Sequence, residues 1–283
     1  MTQSPPENQL VPTFWHLDDI DWTEVQRQQN SDGRISVVRE KWPIIRPGFL
    51  SAYVHYEPGM VVRRHGHRSN HVVFVLGGSG WFGTDTCTPG THIHVPLGAA
   101  FGPIIAGPAG LTCWELSFGE FGGWGDQPEL YQEEIATRNI TPLPDPPLEI
   151  GDWFVDPRGD WGAERSSPKV EGMNSVQLHV DDIAWIEAVR EESSDGYTAI
   201  VREKSLVALA DFASVLMEYS PNTETSRVTE GKHHLFWIIG GGAWFDGRWC
   251  PEGTHVELPA GSMIPAIRAG KAGVQFLELT SDV

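Results

Sequence analysis

Short stretches in which apolar and polar residues alternate recur along most of the chain, separated by glycine, proline, aspartate and asparagine. They are rich in β-branched and aromatic residues, which is typical of strands. Many short strands at regular spacing favour an antiparallel barrel or sandwich. The predicted strands of the first half are residues 35–38, 50–56, 71–76, 91–95 and 111–116, and their counterparts in the second half show the same pattern.

Helix is expected in only three short segments. Residues 21–29 and 183–192 each begin after a pair of aspartates that could cap a helix, and residues 128–137 form the third candidate. The predicted fold class is therefore all-β, with few short helices.

A long internal repeat divides the chain into two similar halves. Residues 16–22 read His-Leu-Asp-Asp-Ile-Asp-Trp and residues 179–185 read His-Val-Asp-Asp-Ile-Ala-Trp, an offset of 179 − 16 = 163. The same offset, without a gap, matches residues 38–41 with 201–204, 81–82 with 244–245 and 90–92 with 253–255. A repeat of this length indicates duplication of a whole domain rather than a short solenoid unit.

The duplication predicts the domain boundaries. We expect an N-terminal domain at residues 1–120, a connector at 121–175 and a C-terminal domain at 176–283, in keeping with a length of 283 residues. The connector has no counterpart in the repeat and is rich in glycine, proline, aspartate and tryptophan. A long structureless connection is uncommon in a compact protein, so we expect a packed strap that joins the domains, or a lid over a pocket.

Three histidines lie close together in the pattern Gly59-(x)5-His65-x-His67-(x)3-His71-(x)6-Gly78. Neutral imidazole is the commonest protein ligand of transition metals. His65 and His67 alternate along a predicted strand and so face the same way. The spacing predicts a metal site formed by His65, His67 and His71, with a hydrogen-bonded core role as the alternative for His71.

Comparison of the two copies separates the needs of the fold from those of the site. The positions of His65 and His67 hold Val228 and Glu230 in the second copy, whereas His71 is kept as His234. The second domain is therefore expected to be degenerate and metal-free. Substitution of His65 or His67 is expected to leave the fold intact.

Other candidate residues are less well placed by the pattern. His92 and His94 alternate with apolar Ile93 and Val95, so they are expected to face away from the core, toward a domain interface or solvent. His55 is expected to face outward by the same test. Glu115 recurs as Glu278, which favours a scaffold role, although it is the one carboxylate expected near the pocket and thus a candidate catalytic residue.

The histidine pattern is similar to the first motif of the cupin family, with His71 where glutamate is usual. The run from Gly90 through Pro96 and Gly98 resembles the second motif, with Phe101 where a histidine is usual. The resemblance implies two tandem cupin barrels, each a double-stranded β-helix or jelly roll. It also implies one divalent transition metal in the N-terminal barrel, held by the three histidines, with Phe101 as an apolar wall of a substrate pocket that Val54 also lines.

The resemblance further implies an enzyme that acts on a small organic molecule. A neutral three-histidine site leaves coordination positions open for substrate. With Fe(II), the favoured metal, it resembles the cupin dioxygenases that cleave diketones or aromatic diols. With Zn, Ni or Mn it could instead be a non-redox isomerase, lyase, dehydratase or cyclase, and Cu is a further possible metal. A non-catalytic sensor or small-molecule binding protein is the third alternative.

Charge and cysteine content narrow the choice of partners. The formal charge is 20 − 38 = −18, which disfavours nucleic acid and anionic membrane surfaces. No apolar stretch is long enough to span a membrane, and the start of the sequence lacks the pattern of a secretion signal. The three cysteines, Cys87, Cys113 and Cys250, are expected to be reduced and buried, which favours a cytoplasmic location. Either a monomer or a homodimer is expected.

Overall fold

The protein is described by a computed structural model that covers residues 11–148, 150, 169–192, 198–225 and 231–282. These residues form nineteen β-strands, one α-helix and two single turns of 3-10 helix. All strand pairings within the two sheets are antiparallel. The predicted all-β fold is confirmed.

The chain divides into two compact units, here called the first and second domains. The first domain comprises residues 20–179, and the second combines the described residues before residue 20 with those from 180 onward. This division differs from the expected boundaries near residues 120 and 175. The described residues of the connector belong to the first domain, and the strand that begins the described chain belongs to the second.

The first domain contains a ten-stranded sheet with the order β10-β2-β3-β4-β9-β6-β8-β11, in which β5 also pairs with β9 and β7 with β6. Its strands β4, β6, β8 and β9 contain the predicted segments 50–56, 71–76, 91–95 and 111–116, which are thereby confirmed. The strands are β2 (Thr23–Gln29), β3 (Ile35–Arg46), β4 (Phe49–Tyr56), β5 (Val61–Val62), β6 (His65–Phe82), β7 (Asp85–Cys87), β8 (Thr91–Val95), β9 (Ile104–Gly125), β10 (Thr141–Pro142) and β11 (Val176–His179).

The second domain contains a nine-stranded sheet with the order β1-β18-β16-β19-β14-β13-β12, in which β15 also pairs with β19 and β17 with β16. Its first strand comes from the beginning of the described chain. The strands are β1 (Thr13–His16), β12 (Ile186–Glu192), β13 (Thr198–Ala208), β14 (Phe212–Tyr219), β15 (Glu224–Thr225), β16 (His233–Phe245), β17 (Arg248–Pro251), β18 (Thr254–Leu258) and β19 (Ile267–Ser281).

The duplication extends to local irregularities of the backbone. The pairing of β2 with β3 shifts register between Glu24 and Gln26, and that of β12 with β13 shifts between Glu187 and Val189. These bulges lie at the same offset of 163 residues. The predicted helices at 21–29 and 183–192 are therefore wrong. Each aspartate pair ends a single 3-10 turn, Leu17–Asp19 or Val180–Asp182, and a strand follows because sheet pairing outweighs local propensity.

The connector contains the predicted helix. Helix α1 spans Pro128–Arg138, which confirms the prediction, and Asn139 ends it in the left-handed conformation at φ 52°. Tyr131 and Ile140 pack against Val61 and Ile105 of the first domain. Helix α1 is too short and too polar to cross a bilayer, and the described residues contain no other α-helix.

Each domain has its own hydrophobic core. Inside the first lie residues such as Val54, Val73 and Cys113, whereas the second is filled by larger rings. Cys113 matches Phe276 and Val73 matches Phe236 at the repeat offset, and both phenylalanines are fully buried. The three cysteines are free and buried, as expected. The first domain thus retains interior space that aromatic side chains occupy in the second.

Candidate active site

The predicted histidines lie at the start of β6, where the backbone is anchored on both sides. The His65 amide donates to the Phe101 carbonyl at 3.0 Å, and Phe101 donates back to the His65 carbonyl at 2.8 Å. The His65 ring donates from Nδ1 to the Arg63 carbonyl at 2.8 Å. This hydrogen bond fixes the tautomer, because a carbonyl only accepts, and it leaves the lone pair on Nε2.

The three imidazole rings form one cluster around Phe101. The His65 and His67 centroids are 5.0 Å apart, and those of His67 and His71 are 4.7 Å apart, both edge to face. The Phe101 ring lies 4.4 Å from His65 and 5.4 Å from His71. His65 and His71 are buried, and His67 is half-buried. The structure therefore brings together all three predicted ligands.

Glu115 connects His71 to Tyr56, a residue that the sequence pattern does not identify as part of the site. One carboxylate oxygen lies 3.2 Å from His71 Nε2, and the other accepts a hydrogen bond from the Tyr56 hydroxyl at 2.7 Å. Burial raises the pKa of Tyr56 well above its ordinary value of 10, and the adjacent Glu115 adds to the effect. Tyr56 therefore remains a hydrogen-bond donor at neutral pH.

The electrostatics of the cluster favour neutral rings at His65 and His67 and an ionised carboxylate at Glu115. Burial lowers the pKa of His65 from 6.5 to about 4, and burial together with the neighbouring imidazoles lowers that of His67 well below 6.5. Burial alone would raise the pKa of Glu115, but hydrogen bonds from His71 and Tyr56 outweigh it and hold the pKa below the usual value. Neutral imidazole is the form that coordinates metals.

The donor set fits a divalent transition metal in chemistry. His71 Nδ1 is buried and has no hydrogen-bond partner among the described residues, since Nε2 is the nitrogen that faces Glu115. A carbonyl behind His65 and a carboxylate behind His71 are the outer partners that metal-binding histidines commonly have. As placed, however, no three His, Cys, Asp or Glu side chains of the described residues are arranged to hold one ion. Metal binding therefore requires the rings to turn from their edge-to-face packing.

A cavity of about 150 Å³ opens beside the cluster. Its wall includes the three histidines and Glu115, and the remaining lining is mostly apolar. Residues that the sequence pattern did not identify as part of the site include Glu40, Trp42, Tyr56, Arg63, Ser69, Ser117, Asp145 and Leu148. The connector contributes to the wall through Asp145 and Leu148, and Leu148 also packs against the core of the first domain.

Two residues expected on the pocket wall lie elsewhere. Val54 is 1 % exposed and Phe101 is 2 % exposed, and both belong to the core cluster rather than to the cavity lining. Alternation along β4 correctly places Val54 inward, together with Ala52 and Tyr56. It does not distinguish a side chain that faces the cavity from one that is covered by other core residues. Phe101 acts as the packing surface behind the imidazoles.

The histidines outside the cluster follow the predicted parity. His92 and His94 lie on the side of β8 opposite the core residues Ile93 and Val95. Both are buried, which excludes the solvent alternative, while the domain-interface alternative stays a prediction. His55 is half-buried and its Nδ1 lies 2.9 Å from the Thr112 hydroxyl, away from the cavity.

The second domain also contains a histidine–glutamate pair at the positions of His71 and Glu115, but the histidine approaches the carboxylate through its other ring nitrogen. His234 approaches Glu278 through Nδ1, at 3.0 Å, whereas His71 approaches Glu115 through Nε2. Val228 and Glu230, the counterparts of His65 and His67, lie outside the described residues. The histidine–glutamate pair is thus common to both copies.

Comparison with known proteins gives structural matches only. No family model and no curated protein matches the sequence. Solved structures that resemble the chain include a candidate dioxygenase from Nostoc punctiforme (TM-score 0.66, 11 % identity, 96 % of this chain and 83 % of that one). Oxalate decarboxylase from Bacillus subtilis is also similar (TM-score 0.58, 16 % identity, 98 % of this chain and 79 % of that one). Both are bicupins. This chain has the bicupin fold.

Gly66 lies in β6 between His65 and His67, and its replacement by alanine tests how tightly this part of the strand is packed. A Cβ atom at Gly66 would lie 2.4 Å from the Trp124 ring and 2.6 Å from the Ala99 carbonyl oxygen. Trp124 is buried, so its ring has little room to move. We expect Gly66→Ala to lower the free energy of unfolding by about 3 kcal/mol, the upper part of the range for overpacking. Urea unfolding measures this change.

The matched control is Gly77→Ala, in the same strand. A Cβ atom there would make only ordinary contacts with Thr112, at 3.8 Å and beyond. Its expected effect is below about 1 kcal/mol. Equal stability of the two variants would contradict the packing of Trp124 on Gly66.

Proposed function

We propose that this bicupin is a metal-dependent enzyme that acts on a small organic molecule, with one divalent transition metal held by His65, His67 and His71. The favoured form is an Fe(II)-dependent dioxygenase that cleaves a diketone or an aromatic diol. The observation that carries the proposal is the set of three clustered imidazoles on the wall of a cavity, of which His65 and His67 are held neutral by burial. The bicupin fold supports it.

The metal would supply a Lewis acid and, if it is iron, the reaction with O₂. The protein's own residues orient and shield the site. The Glu115 carboxylate holds His71 by its Nε2 side, which leaves Nδ1 available, and Tyr56 holds Glu115 from its other oxygen. Arg63 lines the cavity, with its guanidinium 5.5 Å from the centre of the Tyr131 ring, and its positive charge would attract an anionic group of the substrate.

The size of the cavity limits the substrate. A cavity of about 150 Å³ matches the volume that accepts benzene in an engineered protein. We therefore propose a substrate of about one ring, or a short diketone. The protein would work as a monomer or homodimer in the cytoplasm, without nucleic acid or membrane partners.

A non-redox activity is the second candidate. With Zn, Mn or Ni the same three histidines would support isomerase, lyase, dehydratase or cyclase chemistry. The likeness to oxalate decarboxylase favours a lyase within this group. A sensor that binds a small molecule without turnover is the third candidate.

Metal analysis of protein purified without a histidine tag distinguishes these candidates. One iron per chain, together with O₂ uptake after addition of acetylacetone or catechol, is the result expected of the dioxygenase. One zinc, manganese or nickel without O₂ uptake would favour the non-redox enzyme. Absence of bound metal after incubation with each of these ions would overturn both enzyme proposals.

A further inference from the structure

One row of paired residues crosses the first domain from the histidine cluster to the far side of the cavity. Ile45 pairs with Leu50, Leu50 with Ser117, and Ser117 with His71. Leu50 and His71 are thus two strands apart, a separation of about 10 Å at the usual strand spacing. The row has an apolar end on β3 and β4 and a polar end on β6.

The second domain contains the same row with different residues. Its members are Ala208, Ala213, Thr280 and His234, each at the repeat offset of 163. The histidine is kept, but the isoleucine–leucine pair is replaced by two alanines. Because both domains have the same fold, the large apolar residues are not required by the strand pairing.

Two further apolar residues extend this end of the cavity. Trp42 lines it and packs against the core, and its indole N–H donates to Glu40 at 2.6 Å. Its polar atom is therefore satisfied, and the ring carbons are available for contact. The repeat offset places Ser205 at the position of Trp42. Leu148 comes from the connector, which has no counterpart in the repeat, and also lines the cavity.

Trp42, Ile45, Leu50 and Leu148 are together called the collar. The three collar residues that have a counterpart in the second domain are larger than that counterpart. The deep interior shows the opposite trend, since Val73 and Cys113 match Phe236 and Phe276. Compared with the second domain, the first domain therefore has smaller side chains in its interior, and it has larger apolar side chains at the collar. This combination is typical of a binding site rather than of a packed core.

We infer that the collar binds an apolar substituent of the substrate while the polar end of the substrate faces His65, His67 and His71. The inference rests on the proposed function, because it assigns a substrate class to the same cavity. The substrate class is a small molecule with a polar, metal-binding end and a short alkyl or aryl tail. A carbohydrate or a small polar acid would leave the collar without an apolar partner.

Binding of catechol, 4-methylcatechol, 4-ethylcatechol and 4-propylcatechol tests the inference. Equilibrium dialysis under argon gives each Kd without turnover, for the protein as purified and after treatment with EDTA. The readout is the ratio of Kd values within the series, which depends on the tail and not on the metal. We expect Kd to fall about fourfold for each added methylene in both preparations, which is the gain from burying one CH₂ group.

The double variant Trp42→Ser/Leu50→Ala introduces the residues of the second domain. We expect it to reduce the gain to less than twofold for each methylene. Leu148 lies outside the barrel strands, and Leu148→Ala should also reduce the gain in affinity for each methylene. The test therefore remains possible if the double variant does not fold. Trp81→Ser replaces an exposed tryptophan outside the cavity lining by the same residue type, serine, and should retain the full gain.

Three results would overturn the inference. They are an equal fall in Kd for each methylene in the wild type and the collar variants, a Kd that does not change along the series in the wild type, and no binding of any catechol. Failure of the proposed metal site gives a different result. If His65→Ala retains metal, the assignment of His65 as a ligand fails. The fall in Kd for each methylene is measured separately and still reports on the collar alone.

Discussion

Replacement of His65 by alanine should abolish stoichiometric metal binding, with loss of all metal-dependent activity and little loss of stability. His65 contributes one of the three clustered imidazoles, and two ligands hold a divalent ion far less tightly than three. The fold should survive because the second domain adopts the same strand order with Val228 at the equivalent sequence position. His67→Ala should behave in the same way. Metal content by elemental analysis and the urea unfolding midpoint are the two measurements.

His55→Ala is the control for this experiment. His55 lies in the same domain and faces Thr112 rather than the cavity, so the variant should keep a full complement of metal. Full metal content in His65→Ala would exclude His65 as a ligand. Loss of metal from His55→Ala as well would indicate a general loss of structure.

Lowering the pH from 6.5 should destabilise the protein steeply, and His92 should account for much of the effect. Burial lowers the pKa of His92 from 6.5 to about 3, with a smaller contribution from His94. Between these values the unfolded chain binds a proton that the folded chain does not, so stability is present above pH 6.5 and falls as the pH decreases toward 3. The loss is about 1.4 kcal/mol per pH unit for one histidine. Buried His255, whose pKa is also well below 6.5, should add to it.

Urea unfolding of His92→Gln at pH 6.5, 5.5 and 4.5 checks this expectation. As the pH falls over these two units, the stability of the variant relative to the wild type should rise by about 2 kcal/mol, because the variant lacks the group that must take up the proton. Phe74→Leu serves as the control. It alters the aromatic neighbour of His92 without removing the imidazole, so its effect should be similar at all three pH values. A constant difference between His92→Gln and the wild type would contradict the assignment.

Local patterns in the sequence predict most of the strands. Alternation in β4 places Ala52, Val54 and Tyr56 inward and His55 outward, because successive side chains of a strand point to opposite faces. The segments after the two aspartate pairs were wrongly predicted as helices. Their bulged pairing depends on a neighbouring strand rather than on their own composition. Such tertiary effects leave no local signal.

The candidate site is only partly accessible from sequence. The spacing of His65, His67 and His71 identifies residues that the structure brings together. The contacts of Glu115 with His71 and Tyr56 join three separate strands, so no spacing along the chain reports them. The cavity wall formed by Leu148 is also hidden, because it depends on where the connector passes over the first domain.

The position of β1 in the sheet of the second domain has a consequence for biosynthesis. Thr13 of β1 pairs with Glu257 of β18, so these partners are separated by 257 − 13 = 244 residues. A nascent chain emerging from the ribosome can complete the first domain once β11 is available, but β1 must wait until β18 has been translated. During that interval β1 is an unprotected edge, open to association with other chains.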